Sequence, residues 1–285
     1  MTVGCARASL EGCGRLPDSP QLLFGSLLLA VAAVIALAAL GVGADRRIAF
    51  LREAALMLFA FFAYFAVRSL TEGSVVDALR HARLIEDIER SIGLFVEPTL
   101  QAAIAGEQWL VDLANWVYVW GHWPFIGAVA IWLYRRRPEG YRLYRNAFLI
   151  SGGIGLVIFM AFPTAPPRLA DVDVIDTVVE YSNFYYLLQP PQLTNQYAAF
   201  PSLHFGWNLL VTIAVVRYTP IPAVRTLVVL VTAAMAVSIV VTANHFILDA
   251  IGGAVVALVG LLLASRLRRR GRAEERVSER LRSAT

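Results

Sequence analysis

Long apolar stretches with few charges recur along this chain and restrict the folds that it can adopt. The first, Leu22–Val42, contains no charged residue, and about 20 mostly apolar residues in a helix cross the hydrocarbon core of a bilayer. Six further stretches follow: Ile48–Leu70, Trp109–Tyr134, Arg145–Phe162, Phe200–Tyr218, Val224–Ala243 and Phe246–Ala264. We therefore predict an all-α integral membrane protein with seven transmembrane helices.

The composition agrees with this interpretation. Hydrophobic residues make up 58% of the chain and charged residues 16%, whereas soluble domains have roughly 45–50% apolar and about 25% charged residues. All 25 lysine-plus-arginine positions are arginine, so the chain cannot use a Schiff-base or P-loop lysine. These features exclude an ordinary soluble enzyme.

The arginines predict an orientation in the membrane. Clusters at residues 46–52, 135–145, 217–225 and 266–282 fall on one side if the spans alternate, and arginine in short loops marks the cytoplasmic side. We expect a cytoplasmic C-terminus and an outward-facing segment at residues 163–199. The lysine-free, alanine- and arginine-rich composition is typical of a GC-rich bacterial genome, which predicts a bacterial-type cytoplasmic membrane.

The remaining segments complete the predicted organisation. Apolar side chains recur at helical spacing between Val75 and Ile88, which predicts an outward amphipathic helix at the interface within residues 71–108. The predicted divisions are a disordered N-terminus at 1–20 with incidental Cys5 and Cys13, an additional transmembrane helix and loop at 21–47, a six-helix catalytic membrane domain at 48–265, and an arginine-rich cytoplasmic tail at 266–285.

Three polar clusters lie at the outer ends of the predicted spans. They are Phe-Pro-Thr-Ala-Pro-Pro-Arg at residues 162–168, Phe-Pro-Ser-Leu-His at 200–204 and Asn-His-Phe-Ile-Leu-Asp at 244–249. Ionisable groups at membrane depth are costly and usually functional. Their shared depth indicates one outward-facing site.

The third cluster suggests a nucleophile. His245 and Asp249 are four residues apart, so on a helix they share a face. Asp249 can accept the Nδ1 hydrogen of His245 and leave Nε2 as a nucleophile. The alternative is a histidine–aspartate pair that only joins two helices.

The other two clusters suggest an acid and a phosphate site. Ser202 can cap the following helix, whose N-terminus suits an oxyanion, and His204 can protonate a leaving oxygen there. Arg168 follows two prolines, and a guanidinium binds phosphate oxygens in pairs. The alternatives are a capped helix with an interfacial histidine, and an arginine that snorkels to the headgroups.

Taken together, the clusters resemble the type 2 phosphatidic-acid phosphatase superfamily over roughly residues 50–265. They are most similar to its inositolphosphotransferase-like branch, whose eukaryotic relatives make inositol phosphorylceramide. The resemblance implies a six-helix phosphatase-type bundle, here with one additional N-terminal transmembrane helix, that needs no metal or other cofactor. It also implies that His245 forms a phosphohistidine, that Asp249 orients it, that His204 protonates the leaving alcohol, and that Arg168 binds phosphate.

The chain departs from the common phosphatase pattern in its cations. That pattern begins with a lysine, has glycine where this chain has Leu203, and has arginine where this chain has Ile239. A dianionic phosphate monoester needs more positive charge than a monoanionic phosphodiester, so the departures favour headgroup transfer. Arg80 or Arg83 can restore charge if the 71–108 segment folds over the site.

Further residues are candidates for lining a substrate cavity. Asn115, Tyr118 and His122 have i, i+3, i+7 spacing on the third predicted span, which places them on one face, and Asn244 precedes the nucleophile. The alternative for the first three is interhelical hydrogen bonding.

The leading hypothesis is therefore a metal-independent membrane enzyme that transfers a phospho-headgroup between lipids or to a polyol or lipid acceptor. A lipid phosphate phosphatase that releases inorganic phosphate, from a glycerolipid or isoprenoid phosphate, is the enzymatic alternative. A lipid- or proton-coupled transporter is the non-enzymatic one. The expected partners are membrane lipids (phospholipid, isoprenoid phosphate or sphingolipid-type) rather than nucleic acid, and the sequence predicts no particular oligomer.

Overall fold

The computed structural model describes residues 44–70, 74–170, 172–175, 177 and 196–283. The α-helices in these ranges are α1 (Ala44–Leu70), α2 (Val75–Ser91), α3 (Glu97–Ala105), α4 (Gln108–Trp120), α5 (Trp123–Arg136), α6 (Pro138–Ala161), α7 (Leu203–Tyr218), α8 (Pro222–Val241) and α9 (Ile247–Ser283). The described residues form no named strand, and an isolated parallel bridge joins Thr164 to Ala198. The all-α prediction is confirmed for this part of the chain. The predicted disordered 1–20 segment with Cys5 and Cys13, and the predicted helix Leu22–Val42, lie outside the described residues.

Three helices in the described ranges are long and apolar enough to cross a membrane. They are α6, α8 and the portion of α9 from Ile247 to Glu274, and they correspond to three of the predicted spans. Helix α7 lies within the predicted span Phe200–Tyr218 but has only 16 residues, fewer than the ~20 that a perpendicular crossing requires. The chain is therefore consistent with a membrane protein.

The predicted span Trp109–Tyr134 is interrupted in the structure. Helix α4 ends at Trp120, α5 begins at Trp123, and Gly121 and His122 separate them. Pro124 lies in the first turn of α5, where its missing N–H is tolerated, and it cannot donate to the carbonyl of Trp120, the last residue of α4, as a continuous helix would require. The prediction of one continuous helix was wrong at this point, and the break positions His122 between two helix ends.

By its internal contacts the chain divides into two units, residues 1–58 and 59–285. In the second unit, α9 packs against α6 and α7, and α7 packs against α8. The largest apolar cluster includes Phe159 of α6, Trp207 and Leu210 of α7, and Ala257 of α9. In the first unit, the described residues 44–58 are helical.

Two glycines allow α7 and α9 to approach each other closely. A Cβ atom on Gly253 would collide with the backbone carbonyl of Ser202, and one on Gly206 would collide with the carbonyl of Gly253. Any larger residue would separate these backbones. The small residues therefore set the distance between the start of α7 and the first turns of α9.

The predicted amphipathic helix is present as α2, but only part of its predicted apolar face is buried, together with alanines outside that face. Ala78, Ala82 and Ile85 are buried, whereas Val76 and Leu84 of the predicted apolar face are exposed. Small alanines permit close packing against the chain that follows α6. At the other end of the fold, α9 continues to Ser283, so the arginine-rich segment is helical.

Candidate active site

The site is built around the turn that joins α8 to α9. Ala243 has a positive φ of 55°, a left-handed conformation that costs an alanine about 1–2 kcal/mol. The carbonyl of Ile239 accepts the backbone N–H groups of Asn244 and His245, at 3.1 and 2.9 Å. These contacts hold the strained turn and fix the direction in which His245 leaves the backbone.

His245 and Asp249 form the contact predicted from their spacing. The Nδ1 atom of His245 lies 3.3 Å from Oδ2 of Asp249, which also accepts the backbone N–H of Phe246 at 2.9 Å. His245 precedes the first residue of α9, so the pair forms through the helix cap and not along a helical face. Since a carboxylate can only accept, this contact makes Nδ1 the donor and leaves the lone pair on Nε2.

Ser202 links the second cluster to the third. Its backbone N–H donates to the carbonyl oxygen of Asp249 at 2.8 Å, an approach that Gly253 permits. Ser202 immediately precedes α7 as predicted, but its hydroxyl makes no capping hydrogen bond. The predicted cap was wrong in this respect: the buried Oγ has no partner among the described residues.

His204 lies in the first turn of α7, surrounded by aromatic rings. Its ring centroid is 6.0 Å from that of His245, 4.9 Å from Tyr118 and 4.5 Å from His122. The side chain of His122 is itself held by a 3.1 Å contact between Nδ1 and Oδ1 of Asn208. The rings of His204 and His245 are therefore neighbours. Tyr118 of α4 and His122 pack against the ring of His204.

Arg168 is attached to the His245 turn. It lies in a short 3₁₀ turn, Pro167–Leu169, and its Nε donates to Oδ1 of Asn244 at 3.1 Å, while its backbone N–H donates to the carbonyl of Ala243 at 3.0 Å. Asn244 donates from Nδ2 to Oγ1 of Thr242 at 2.9 Å, which turns its oxygen toward the guanidinium. The structure thus brings together the three clusters that the sequence separates.

The candidate lining residues do not all lie at the same place. Tyr118 and His122 flank His204, as described above. Asn115 instead donates to the carbonyl of Thr177 at 3.0 Å and accepts from its hydroxyl at 3.3 Å. These reciprocal hydrogen bonds account for the burial of Asn115.

Helix α2 packs against the segment that carries Arg168. The backbone N–H of Ala165 donates to the carbonyl of Ala78 at 3.1 Å. Nδ1 of His81 donates to the carbonyl of Pro163 at 2.7 Å, and its ring stacks on Phe162 at 3.9 Å. His81 was not among the predicted site residues, because nothing in its local sequence distinguishes it.

The arginines of α2 have other surroundings. Arg80 forms an ion pair with Asp77 at 2.8 Å, and its side chain is 70% exposed. Arg83 is also exposed. Helix α2, which was expected to add positive charge to the site, therefore contacts the segment before Arg168 through His81 and Ala78. Arg80 instead pairs with Asp77 of its own helix.

Two buried carboxylates near the site were missed by sequence reasoning. Oε1 of Glu89 accepts the N–H of Leu248 at 2.7 Å, and Oε1 of Glu97 accepts the N–H of Ile247 at 3.0 Å. Burial, together with the adjacent Glu97, raises the pKa of Glu89 from 4.5 to about 9. One sequence signal could have indicated its burial: Glu89 lies four residues after Ile85, on the same face of α2 as Ala78 and Ala82.

The site therefore holds the imidazoles of His204 and His245 near the guanidinium-bearing turn of Arg168. His245 is only 5% exposed and Asp249 is fully buried, a setting that strengthens their interaction. Within the described ranges, no group of three or more histidine, cysteine, aspartate or glutamate side chains is placed to hold a metal ion.

Comparison with known proteins identifies a family. The family model of the PAP2 superfamily matches residues 83–263, which is more than half of the chain and includes Arg168, His204, His245 and Asp249. No curated protein and no solved structure matches the chain.

Proposed function

The chain belongs to the PAP2 superfamily, and from this premise we propose that it is a membrane lipid phosphoesterase that works through a phosphohistidine. Membership supports an enzyme of the lipid phosphatase and phosphoesterase class. The observation that carries the mechanism is the 3.3 Å contact between His245 and Asp249 with the ring of His204 at 6.0 Å from that of His245.

In the first half-reaction, Nε2 of His245 attacks the phosphorus atom of a lipid phosphate ester. The bond between phosphorus and the alcohol oxygen breaks, its electron pair stays on that oxygen, and His204 supplies the proton. Asp249 stabilises the positive charge that develops on the imidazole of His245.

In the second half-reaction, an acceptor hydroxyl attacks the phosphohistidine. His204, now neutral, takes the hydroxyl proton, the new phosphorus–oxygen bond forms, and the phosphorus–nitrogen bond breaks to restore His245. When the donor is a phosphodiester and the acceptor is a lipid or polyol hydroxyl, the product is a new phosphodiester. When the donor is a phosphate monoester and the acceptor is water, the product is inorganic phosphate.

Arg168 and the start of α7 bind the phosphoryl oxygens in this mechanism. Asn244 orients the guanidinium by accepting from Nε, and the terminal nitrogens of a guanidinium bind oxygens in pairs. The free backbone N–H groups at a helix N-terminus provide further donors for an anion, and Ser202 lies at that position.

The charge of the site favours transfer of a phospho-headgroup. Ile239 stands where the common phosphatase pattern has an arginine, and it is fully buried in an apolar cluster with Tyr118, Met235 and Val240. The chain also has no lysine. A phosphodiester carries one negative charge where a phosphate monoester carries up to two, so it needs less compensation at low dielectric.

Hydrolysis of a lipid phosphate monoester is a second candidate, and the family membership favours it because superfamily members are phosphatases. Both candidates share the first half-reaction and the same residues. They differ in the acceptor and in the net charge of the bound ester.

We also assign the protein to the inositolphosphotransferase-like branch on its three motifs. Three helices apolar enough to span a membrane support an integral membrane location. The arginine distribution supports a bacterial-type cytoplasmic membrane with the site facing outward and the C-terminus inside.

The experiment that separates the two candidates is product analysis in reconstituted vesicles. The donor is phosphatidylinositol labelled in its phosphate, with ceramide as acceptor, and phosphatidic acid labelled in its phosphate is the competing donor. Transfer predicts a labelled phosphodiester product that requires the acceptor and is lost in His245→Asn. Release of inorganic phosphate from phosphatidic acid, with no acceptor requirement, would establish hydrolysis instead.

A further inference from the structure

The first amides of α9 are held by side chains from distant parts of the chain. A helix begins with backbone N–H groups that have no partner inside the helix. Here Glu97 of α3 accepts from Ile247 at 3.0 Å, and Glu89 of α2 accepts from Leu248 at 2.7 Å. These contacts span 150 and 159 residues of sequence, so they tie α2 and α3 directly to the start of α9.

The same helix start contains the catalytic pair. Asp249 accepts the neighbouring N–H of Phe246 and the Nδ1 hydrogen of His245 through a single oxygen, Oδ2. The three successive amides from Phe246 to Leu248 are therefore all bonded to carboxyl groups. A displacement of Glu89 or Glu97 would move the backbone that sets the position of Asp249.

The two glutamates are buried side by side. Glu89 is 0% exposed and Glu97 is 1% exposed. Each uses Oε1 to bind α9, and each has a buried Oε2 atom with no hydrogen-bond partner among the other described groups. Ionisation of both of two adjacent buried carboxyl groups is disfavoured, and at neutral pH one proton shared between them provides a donor for the oxygen that would otherwise lack one.

We propose that Glu89 and Glu97 form a proton-sharing carboxyl pair that positions the His245–Asp249 loop, by which we mean the turn that carries His245 and the first turn of α9 that carries Asp249. This inference rests on the proposed function, because it assigns the pair a role in placing the nucleophile. The glutamates are positioning residues, since they act through α9 and touch neither substrate nor phosphate.

The pair makes the loop sensitive to alkaline pH. Burial is the main cause that raises the pKa of Glu89 to about 9, and the charged groups that face it, Glu97 from α3 and Asp249 from α9, raise it further. Loss of the shared proton leaves adjacent negative charges in a buried site. Their repulsion separates α2 and α3 from α9 and disturbs the contact between Asp249 and His245.

The protonation of Glu89 makes the free energy of unfolding depend on pH, and stability decreases as the pH rises. Between pH 4.5 and about 9, folded Glu89 keeps a proton that the unfolded chain has lost. Stability from this group is therefore fully present below pH 4.5 and is lost as the pH rises toward 9. Replacement of Glu89 by glutamine removes this dependence, because the amide keeps an acceptor for Leu248 and a donor for Glu97 at every pH.

The decisive comparison is between Glu89→Gln and wild type in the reconstituted enzyme from pH 6.5 to 10. The ratio of their kcat/KM values cancels the ionisations of His204 and His245 that both proteins share. We expect a ratio near one at pH 7 that rises about tenfold between pH 8 and 10, as the wild type loses its proton. The matched control is Asp87→Asn, an exposed carboxylate on the same helix, which should give a flat ratio.

Two further variants separate positioning from packing. Glu89→Leu removes the acceptor for Leu248 and should lower kcat at every pH with little change in KM, whereas Glu89→Gln restores kcat at neutral pH. A ratio for Glu89→Gln that stays flat to pH 10, or a glutamine variant as impaired at pH 7 as the leucine variant, would overturn the proposal.

Thermal unfolding in detergent distinguishes this inference from the proposed function. We expect the melting temperature of the wild type to fall relative to that of Glu89→Gln as the pH rises from 5 to 9. Parallel melting curves would overturn the shared proton even in an active enzyme. Failure of the wild type to act on any lipid phosphate ester would instead overturn the proposed function, whatever the melting curves show.

Discussion

Oδ2 of Asp249 accepts both the Nδ1 hydrogen of His245, at 3.3 Å, and the backbone N–H of Phe246, at 2.9 Å. One carboxylate oxygen therefore orients the ring of His245, the proposed nucleophile, and caps the helix that follows it. This double role connects the fold of α9 to the chemistry of His245, and it leads to the first prediction.

Asp249→Asn should lower kcat by about 10³–10⁴-fold, as loss of the orienting aspartate does in serine proteases. The asparagine oxygen can still cap Phe246, but it cannot stabilise a charged imidazole. Steady-state kinetics with thermal unfolding as a control checks this. Activity within threefold of wild type, in a protein with an unchanged melting temperature, would contradict the orienting role.

His204→Gln should be damaging only when the leaving group needs a proton. With a natural lipid substrate we expect a loss of about 10²–10⁴-fold in kcat. With a nitrophenyl phosphate ester, whose leaving group departs as a stable anion, the loss should be several-fold at most. Equal losses on both substrates would assign His204 to binding or packing instead of acid catalysis.

Arg168 and Asn244 should act as a coupled unit in binding the ester. A hydrogen bond to a charged group contributes about 1.5–3 kcal/mol, so Arg168→Gln should lower kcat/KM by about 10–100-fold. Asn244→Ala should have a smaller effect, because it only frees the guanidinium to move. In the double variant the losses should be less than additive, whereas additive losses would show that the 3.1 Å contact has no role in binding.

Gly253→Ala should destabilise the protein by about 1–3 kcal/mol through overpacking. The added Cβ would collide with the carbonyl of Ser202 and push apart the starts of α7 and α9. Gly153→Ala is the matched control, since its Cβ meets nothing within 4 Å, and a helical alanine is favoured over glycine by roughly 0.5–1 kcal/mol. Unfolding measurements in detergent that rank the two variants the other way would contradict the close packing.

Much of this arrangement could be predicted because it depends on local patterns. Continuous apolar runs predicted α6, α8 and α9, since each run is long enough to form a spanning helix by itself. The polar clusters at residues 162–168 and 244–249 interrupt those runs at their ends, which indicated a common site. The contact between Arg168 and Asn244 then follows from the packing of those ends.

The features that could not be predicted depend on contacts between distant residues. The burial of Glu89 could not be predicted from the sequence of α2 alone, because it is set by α9, 159 residues away. Ser202 has the sequence of a helix cap, but its backbone N–H is bonded to Asp249 and its hydroxyl is buried without a capping bond. The break at Gly121 and His122 is likewise hidden in an apolar run long enough for one helix.

The most direct test of the central claim is to trap the phosphoenzyme. The wild type is incubated briefly with a lipid ester labelled in its phosphate, quenched in alkali, which preserves phosphohistidine, and digested for peptide mapping. We expect acid-labile label on His245, none in His245→Asn, and label retained in His81→Gln, whose histidine bonds the carbonyl of Pro163. Label on another residue, or full turnover by His245→Asn, would contradict the mechanism.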